Sequence, residues 1–151
     1  MLYNYFVILL YKYTIMILKT SQNQKKVSDS LLLVCGKSFS LIEKINNNLF
    51  GSPKYLMKAI TPTRFNLDFD DYTDLVYCTV ELRKKRVAIY FRFKNEEYVI
   101  LTRYNQLTYV SSETSFDFQA GNFLLKLTVV DTKNHFKFIR RLVQCKNNLT
   151  N

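Results

Sequence analysis

Along the second half of the chain, apolar positions recur at every second residue. Phe65, Leu67 and Phe69 alternate with Asn66, Asp68 and Asp70, the pattern of a strand with one face buried. Val76, Cys78, Val80 and Leu82 in DLVYCTVELR repeat it. Val87, Ile89, Phe91 and Phe93 in RVAIYFRFK follow, joined to the preceding run by the short turn Lys84-Lys85. Ala88, Tyr90, Arg92 and Lys94 are left as the polar face of that hairpin. EYVILTRY, QLTYVSS and TSFDFQ are further short strand candidates, and FLLKLTVVD sets Phe123, Leu125, Leu127 and Val129 on one side. The period then changes from two to that of a helix. In NHFKFIRRLVQCK, the residues Phe138, Ile139, Leu142, Val143 and Cys145 oppose Lys137, Arg140, Arg141 and Gln144, so an amphipathic helix closes the domain.

The first half is patterned differently. Residues 1–18, MLYNYFVILLYKYTIMIL, are the most apolar stretch, but Lys12 near its middle costs about 2.5–3.5 kcal/mol in a bilayer centre. The segment is a weak membrane anchor or an extension outside the fold, with translation from Met16 as a third reading. If the segment inserts, the lysines that follow it, Lys19, Lys25 and Lys26, place the remainder in the cytoplasm by the positive-inside bias, and a cytoplasmic domain is expected on either reading. Residues 19–30, KTSQNQKKVSDS, are polar and aperiodic and read as a linker, leaving residues 31–151 as a single domain. SFSLIEKINNNLFG predicts a short N-terminal helix with Leu41, Ile42, Ile45 and Leu49 on one face, Ser40 and Glu43 as a capping box, and Gly51 as a stop. KYLMKAIT, between Pro53 and Pro62, is a second helical turn or a connection.

The expected class is therefore α+β: an antiparallel sheet with a C-terminal capping helix and an N-terminal helical segment. Seven strands followed by one helix resemble the PH-like split barrel over residues 65–146, with VAIYFRF, FLLKLTVV and HFKFIRRL as the segments that carry the likeness. The resemblance implies a binding or scaffolding module for lipids, peptides or proteins, without choosing among them. Arg92-Phe93-Lys94 resembles the end of the basic run in phosphoinositide-binding members, whereas the turn at Lys84-Lys85 is shorter than their headgroup loop.

Charge narrows the partners. Against 12 acidic residues stand 22 Lys and Arg, a formal net charge of +10, which favours an anionic membrane surface, an acidic protein or nucleic acid. An RNA-recognition strand would present aromatics outward, yet in RVAIYFRF only Tyr90 points away from the face of Val87 and Ile89, so nucleic acid ranks below the other two. The basic surface is expected at Arg83, Lys84, Lys85 and Arg86 on the hairpin tip, joined by Arg92 and Lys94. Four consecutive cations on a tight turn are expected to be exposed.

No cofactor or metal site is expected, and a non-enzymatic module is favoured. The three cysteines, Cys35, Cys78 and Cys145, are far apart and suit a reducing compartment. Gly36-Lys37-Ser38 lacks the phosphate-loop glycine, whose place is taken by Leu31, and Asp68, Asp70, Asp71 and Asp74 lack the calcium-loop glycine, replaced by Thr73. Asp74 with Glu81-Leu82-Arg83 approaches the spacing of a metal-dependent nuclease, the remaining enzymatic alternative, but Arg83 stands where a lysine is required. His135, the only histidine, reads as a surface residue at a helix start.

Overall fold

The computed structural model describes residues 15–20, 24–47, 50–61, 69 and 74–150. Its strands are β1 (Ile15–Lys19), β2 (Tyr55–Thr61), β3 (Tyr77–Leu82), β4 (Arg86–Phe93), β5 (Glu96–Arg103), β6 (Thr108–Ser111), β7 (Ser115–Ala120) and β8 (Phe123–Val129). Among the described residues three α-helices accompany them, α1 (Gln24–Cys35), α2 (Leu41–Asn46) and α3 (Thr132–Thr150), with a 3-10 turn at Tyr104–Gln106. All pairings are antiparallel, in the order β1-β5-β4-β3-β2-β8-β7-β6. The fold is thus the expected α+β class, with β2–β8 and then α3 giving the PH-like element order and β1 added at one edge. No helix among the described residues is long and apolar enough to cross a membrane.

Six of the expected strands fall in place, and among the described residues Tyr55–Thr61 is a further strand ahead of them. KYLMKAIT, read above as a helical turn or connection, forms β2 instead. A register shift between Met57 and Ala59 explains why its periodicity was hidden. One extra residue reverses the parity, so Tyr55, Met57 and Ile60 face inward. The alternation that begins at Phe65 lies outside the described residues except Phe69, whose ring meets Phe93 edge-on at 5.0 Å.

The main core is built from the inward faces of the strands, with Cys78, Val80, Val87, Ile89, Phe91, Phe116, Phe118, Leu125 and Leu127 all buried. Phe138 and Leu142 of α3 close it at one side. A second, smaller core lies on the opposite face of the sheet, where Val34 and Cys35 of α1 cover Ala88, Val99 and Leu101. Strand β4 is consequently buried on both sides, and Ala88, expected on a polar face, is inaccessible. The segment read as a linker holds the first turns of α1, and Ile15–Lys19 extends the sheet by pairing with β5 from Thr102 to Tyr98. Among the described side chains of α1, Leu31, Val34 and Cys35 pack inward.

Helix α2 begins as its capping box requires. The Glu43 amide donates to Ser40 Oγ at 3.2 Å, and the Ser40 amide donates to Glu43 Oε2 at 2.7 Å. Its apolar side is not covered, however, and Leu41, Ile42 and Ile45 are exposed.

Candidate binding surface

The hairpin tip between β3 and β4 is more tightly engaged than a charged turn in solvent. Arg86 is only 2% exposed, contrary to the expectation that all four cations face water. As the first residue of β4 it shares the face of Ala88, and its charge acts on Cys35 at the end of α1. Arg83 Nη2 donates to the Gly36 carbonyl at 3.2 Å, and its Nη1 lies 3.5 Å from Glu81. Lys84 Nζ sits 3.2 Å from Glu43, and the Lys85 amide donates to the Cys35 carbonyl at 3.1 Å. Gly36 has φ +69, and a Cβ there would come within 3.3 Å of the Lys85 side chain, so the tip lies flat against the loop. Burial pushes the Cys35 thiol up to about 11 despite the opposing pull of Arg83 and Arg86. The Glu43 carboxyl is held below the usual range, first by its hydrogen bonds with Ser40 and then by Lys84.

Arg92 and Lys94 are exposed, but at the other end of β4. With about 3.3 Å per strand residue they lie roughly 20 Å or more from the tip. Arg92 stands opposite Glu97, and Lys94 Nζ is 5.2 Å from the Phe93 ring centre. The six expected residues therefore form two separate groups, and the first is partly neutralised by its own surroundings.

Positive charge gathers instead on α3. Between Thr132 and Thr150 it carries Lys133, Lys137, Arg140, Arg141 and Lys146 and no acidic residue. His135, Phe138, Arg141, Leu142 and Cys145 face the core. The opposite arc holds Lys133, Phe136, Lys137, Arg140, Val143 and Gln144, spaced three and four apart on one helical face. Phe136 is 40% and Val143 37% exposed, so the arc is cationic with apolar side chains among the charges. Lys146 is turned away, its Nζ donating to the Leu107 carbonyl.

Beside this arc a cleft of about 510 Å³ opens between α3 and the loop that precedes β2. Phe50, Pro53, Lys54, Val130, Asn134 and Lys137 line it, with Arg141 in its wall. The loop is fixed, because the Ser52 amide donates to the Val80 carbonyl at 2.9 Å and the Val80 amide donates to Ser52 Oγ at 2.7 Å. Arg141 is similarly held: Nε donates to the Lys137 carbonyl at 3.1 Å and Nη1 to the Phe50 carbonyl. Burial lowers the Arg141 pKa. Asp131, the carboxylate of the cleft, caps α3 by accepting from the Asn134 amide at 3.1 Å and from Asn134 Nδ2 at 2.7 Å. Those hydrogen bonds hold its carboxyl below the usual range.

His135 is not at the surface. It is 0% exposed, with Tyr55 Oη 2.9 Å from Nδ1 and Ser111 Oγ 2.7 Å from Nε2, so both ring nitrogens are engaged. Burial lowers its pKa, opposed by a hydrogen bond with the Ser112 backbone. The three side chains come from β2, β6 and α3 and tie these elements together. Sequence reading missed the arrangement because the partners lie 80 and 24 residues away along the chain.

Of the acidic candidates, Asp68, Asp70 and Asp71 lie outside the described residues, and Asp74 is exposed. Glu81 accepts from Tyr90 Oη at 2.8 Å and from Ser38 Oγ at 3.3 Å, besides its contact with Arg83. Among the described residues no group of His, Cys, Asp and Glu is placed to hold a metal ion.

No family model matches this chain, and no curated protein matches it. Among solved structures, the N-terminally truncated linker-DH/PH domains of p115-RhoGEF are similar, with a TM-score of 0.46 and 9% identity over 85% of this chain. This chain spans 35% of that one, about a third of its length.

Proposed function

We propose that the domain is a non-enzymatic binding module that docks reversibly on an anionic membrane surface through the outward arc of α3. The observation that carries this reading is the run of Lys133, Lys137 and Arg140 interleaved with exposed Phe136 and Val143 on a helix without acidic residues. Charge and apolar area at one surface suit a lipid headgroup layer better than water or a purely polar partner. With Lys54, the arc offers four cations worth about 1 kcal/mol each near such a surface, which corresponds to an affinity on the order of 1 mM before the apolar contacts add to it. Binding of that strength is reversible and sensitive to salt.

Lys84, Lys85, Arg92 and Lys94 are secondary contributors: Lys84 lines a cavity with Gln144 of the arc but is paired with Glu43, and Arg92 and Lys94 lie at the other end of β4 from the hairpin tip. An acidic protein is the second partner class that the same arc fits. Nucleic acid is less favoured, because Tyr90, the outward aromatic of β4, is occupied with Glu81. A cytoplasmic location suits a face of this kind, and the three cysteines are buried free thiols.

Sedimentation with anionic and neutral vesicles across a salt series tests the proposal, with single-stranded RNA as a parallel ligand. The full chain is expected to sediment with anionic vesicles alone, and the combined variant Lys133→Ser, Lys137→Ser, Arg140→Ser to lose at least tenfold in affinity. Retention of binding in that variant, or a preference for RNA at every salt concentration, would remove the arc from the mechanism.

A further inference from the structure

We infer that the cleft between the Phe50–Lys54 loop and α3 seats a phosphate monoester. The inference rests on the membrane reading only for the route by which a lipid-borne phosphate would reach the cleft. Lys54 and Lys137 stand on its two sides, and neither makes an ion pair among the described residues. Arg141 adds a buried positive charge to the wall, 8% exposed and positioned by its hydrogen bonds to the Phe50 and Lys137 carbonyls. The carboxylate in the lining, Asp131, occupies the start of α3 through Asn134 and stays ionised, so that against Lys54, Lys137 and Arg141 the cleft keeps a net positive charge of two. The helix amides are therefore not what would attract an anion here; the ammonium groups are.

A dianion suits two lysines and an arginine better than a single carboxylate does, because each ammonium is a point charge with three donors. A cleft of about 510 Å³ has room for the alcohol that carries the phosphate as well as for the phosphate itself. Phe50 and Val130, both exposed apolar side chains on the lining, would meet that less polar portion. The loop is pinned to β3 through Ser52, so little ordering is required on binding. Lys137 belongs to both the cleft and the outward arc, which places the cleft at the proposed membrane face.

The test uses the full chain and three vesicle types: neutral phosphatidylcholine, and mixtures with phosphatidylserine or phosphatidic acid matched for surface potential. Glycerol 3-phosphate is titrated separately and followed by the amide resonances of Lys54 and Asn134. Phosphatidic acid is expected to bind about fivefold to tenfold more tightly than phosphatidylserine, with the excess lost in Lys54→Ser and kept in Arg140→Ser. Equal binding of the two lipids, together with no response to glycerol 3-phosphate, overturns the cleft and leaves the membrane reading intact. A glycerol 3-phosphate response abolished by Lys54→Ser, without binding to any vesicle, supports the cleft with a soluble ligand and defeats the membrane reading. Absence of both signals defeats both.

Discussion

Replacing Tyr55 by Phe isolates the energetic role of the buried histidine. The Tyr55 and His135 side chains are both fully buried, and the hydroxyl lies 2.9 Å from Nδ1. In Tyr55→Phe the ring keeps its contacts with Phe116 at 5.3 Å and Phe138 at 6.4 Å, so the apolar packing is retained. What is lost is the partner of Nδ1. A neutral imidazole can change tautomer to suit Ser111 at Nε2, but either tautomer leaves Nδ1 with an unsatisfied lone pair or an unsatisfied N–H. An orphaned buried polar atom costs about 1–3 kcal/mol, so a destabilisation of about 2 kcal/mol is expected. In a chain of 151 residues each kcal/mol lowers Tm by about 2–4 °C, giving a fall of about 4–8 °C. Urea unfolding followed by far-ultraviolet circular dichroism, at a pH where the imidazole is neutral, measures the free energy directly. A change below about 0.5 kcal/mol would show that water replaces the hydroxyl and that the site is not sealed.

The same histidine sets a pH dependence. Burial places its folded pKa below the ordinary 6.5, so its contribution to stability is fully present above pH 6.5 and is lost as pH falls from there through the folded value. Urea midpoints at about pH 7.5 and 5.5 should differ in that direction, and His135→Gln should flatten the difference. Phe116→Ala is expected to cost about 3–5 kcal/mol in the same assay, because its fully buried ring touches Tyr55, Phe118, His135 and Phe138. Gly121→Ala should cost about 1–2 kcal/mol through the backbone alone, since φ is +60 and an added Cβ meets nothing within 4 Å; an unchanged midpoint would argue against that left-handed turn.

Strands β4 and β8 and helix α3 were legible in the sequence because each presents several apolar residues to one core at regular spacing. Strand β2 was not, since the bulge between Met57 and Ala59 breaks the alternation that identifies a strand. Helix α1 was hidden for a different reason: its first turns are polar in sequence, and the packing seen among its described side chains is that of Leu31, Val34 and Cys35 against the small side of β4 at Ala88. The outer face of that hairpin looked solvated because Ala88, Tyr90 and Arg92 share it, yet the covering element comes from far earlier in the chain. Charge alone located Arg83 to Arg86, but the groups that engage the tip, Glu43, Gly36 and Cys35, are set by tertiary contact. The basic arc was visible in part, as Lys137, Arg140 and Gln144 opposite the apolar face of the closing helix. Its extension to Lys133, Phe136 and Val143 depends on how α3 is rotated against the core. Val143, grouped by spacing with the buried side, lies at the edge of that face and is 37% exposed.

The most direct test of the membrane face exploits the absence of tryptophan from the chain. A single indole introduced by Phe136→Trp, at a side chain 40% exposed on the arc, reports its own surroundings without background. Leu32→Trp provides the comparison: Leu32 is 49% exposed on α1, which packs on the opposite face of the sheet. Addition of anionic vesicles is expected to shift the emission of the Phe136→Trp protein to shorter wavelength and leave the Leu32→Trp protein unchanged, the shift vanishing with neutral vesicles or high salt. A blue shift at position 32 with none at position 136 would contradict docking through α3 and move the membrane face to the helices that precede the sheet.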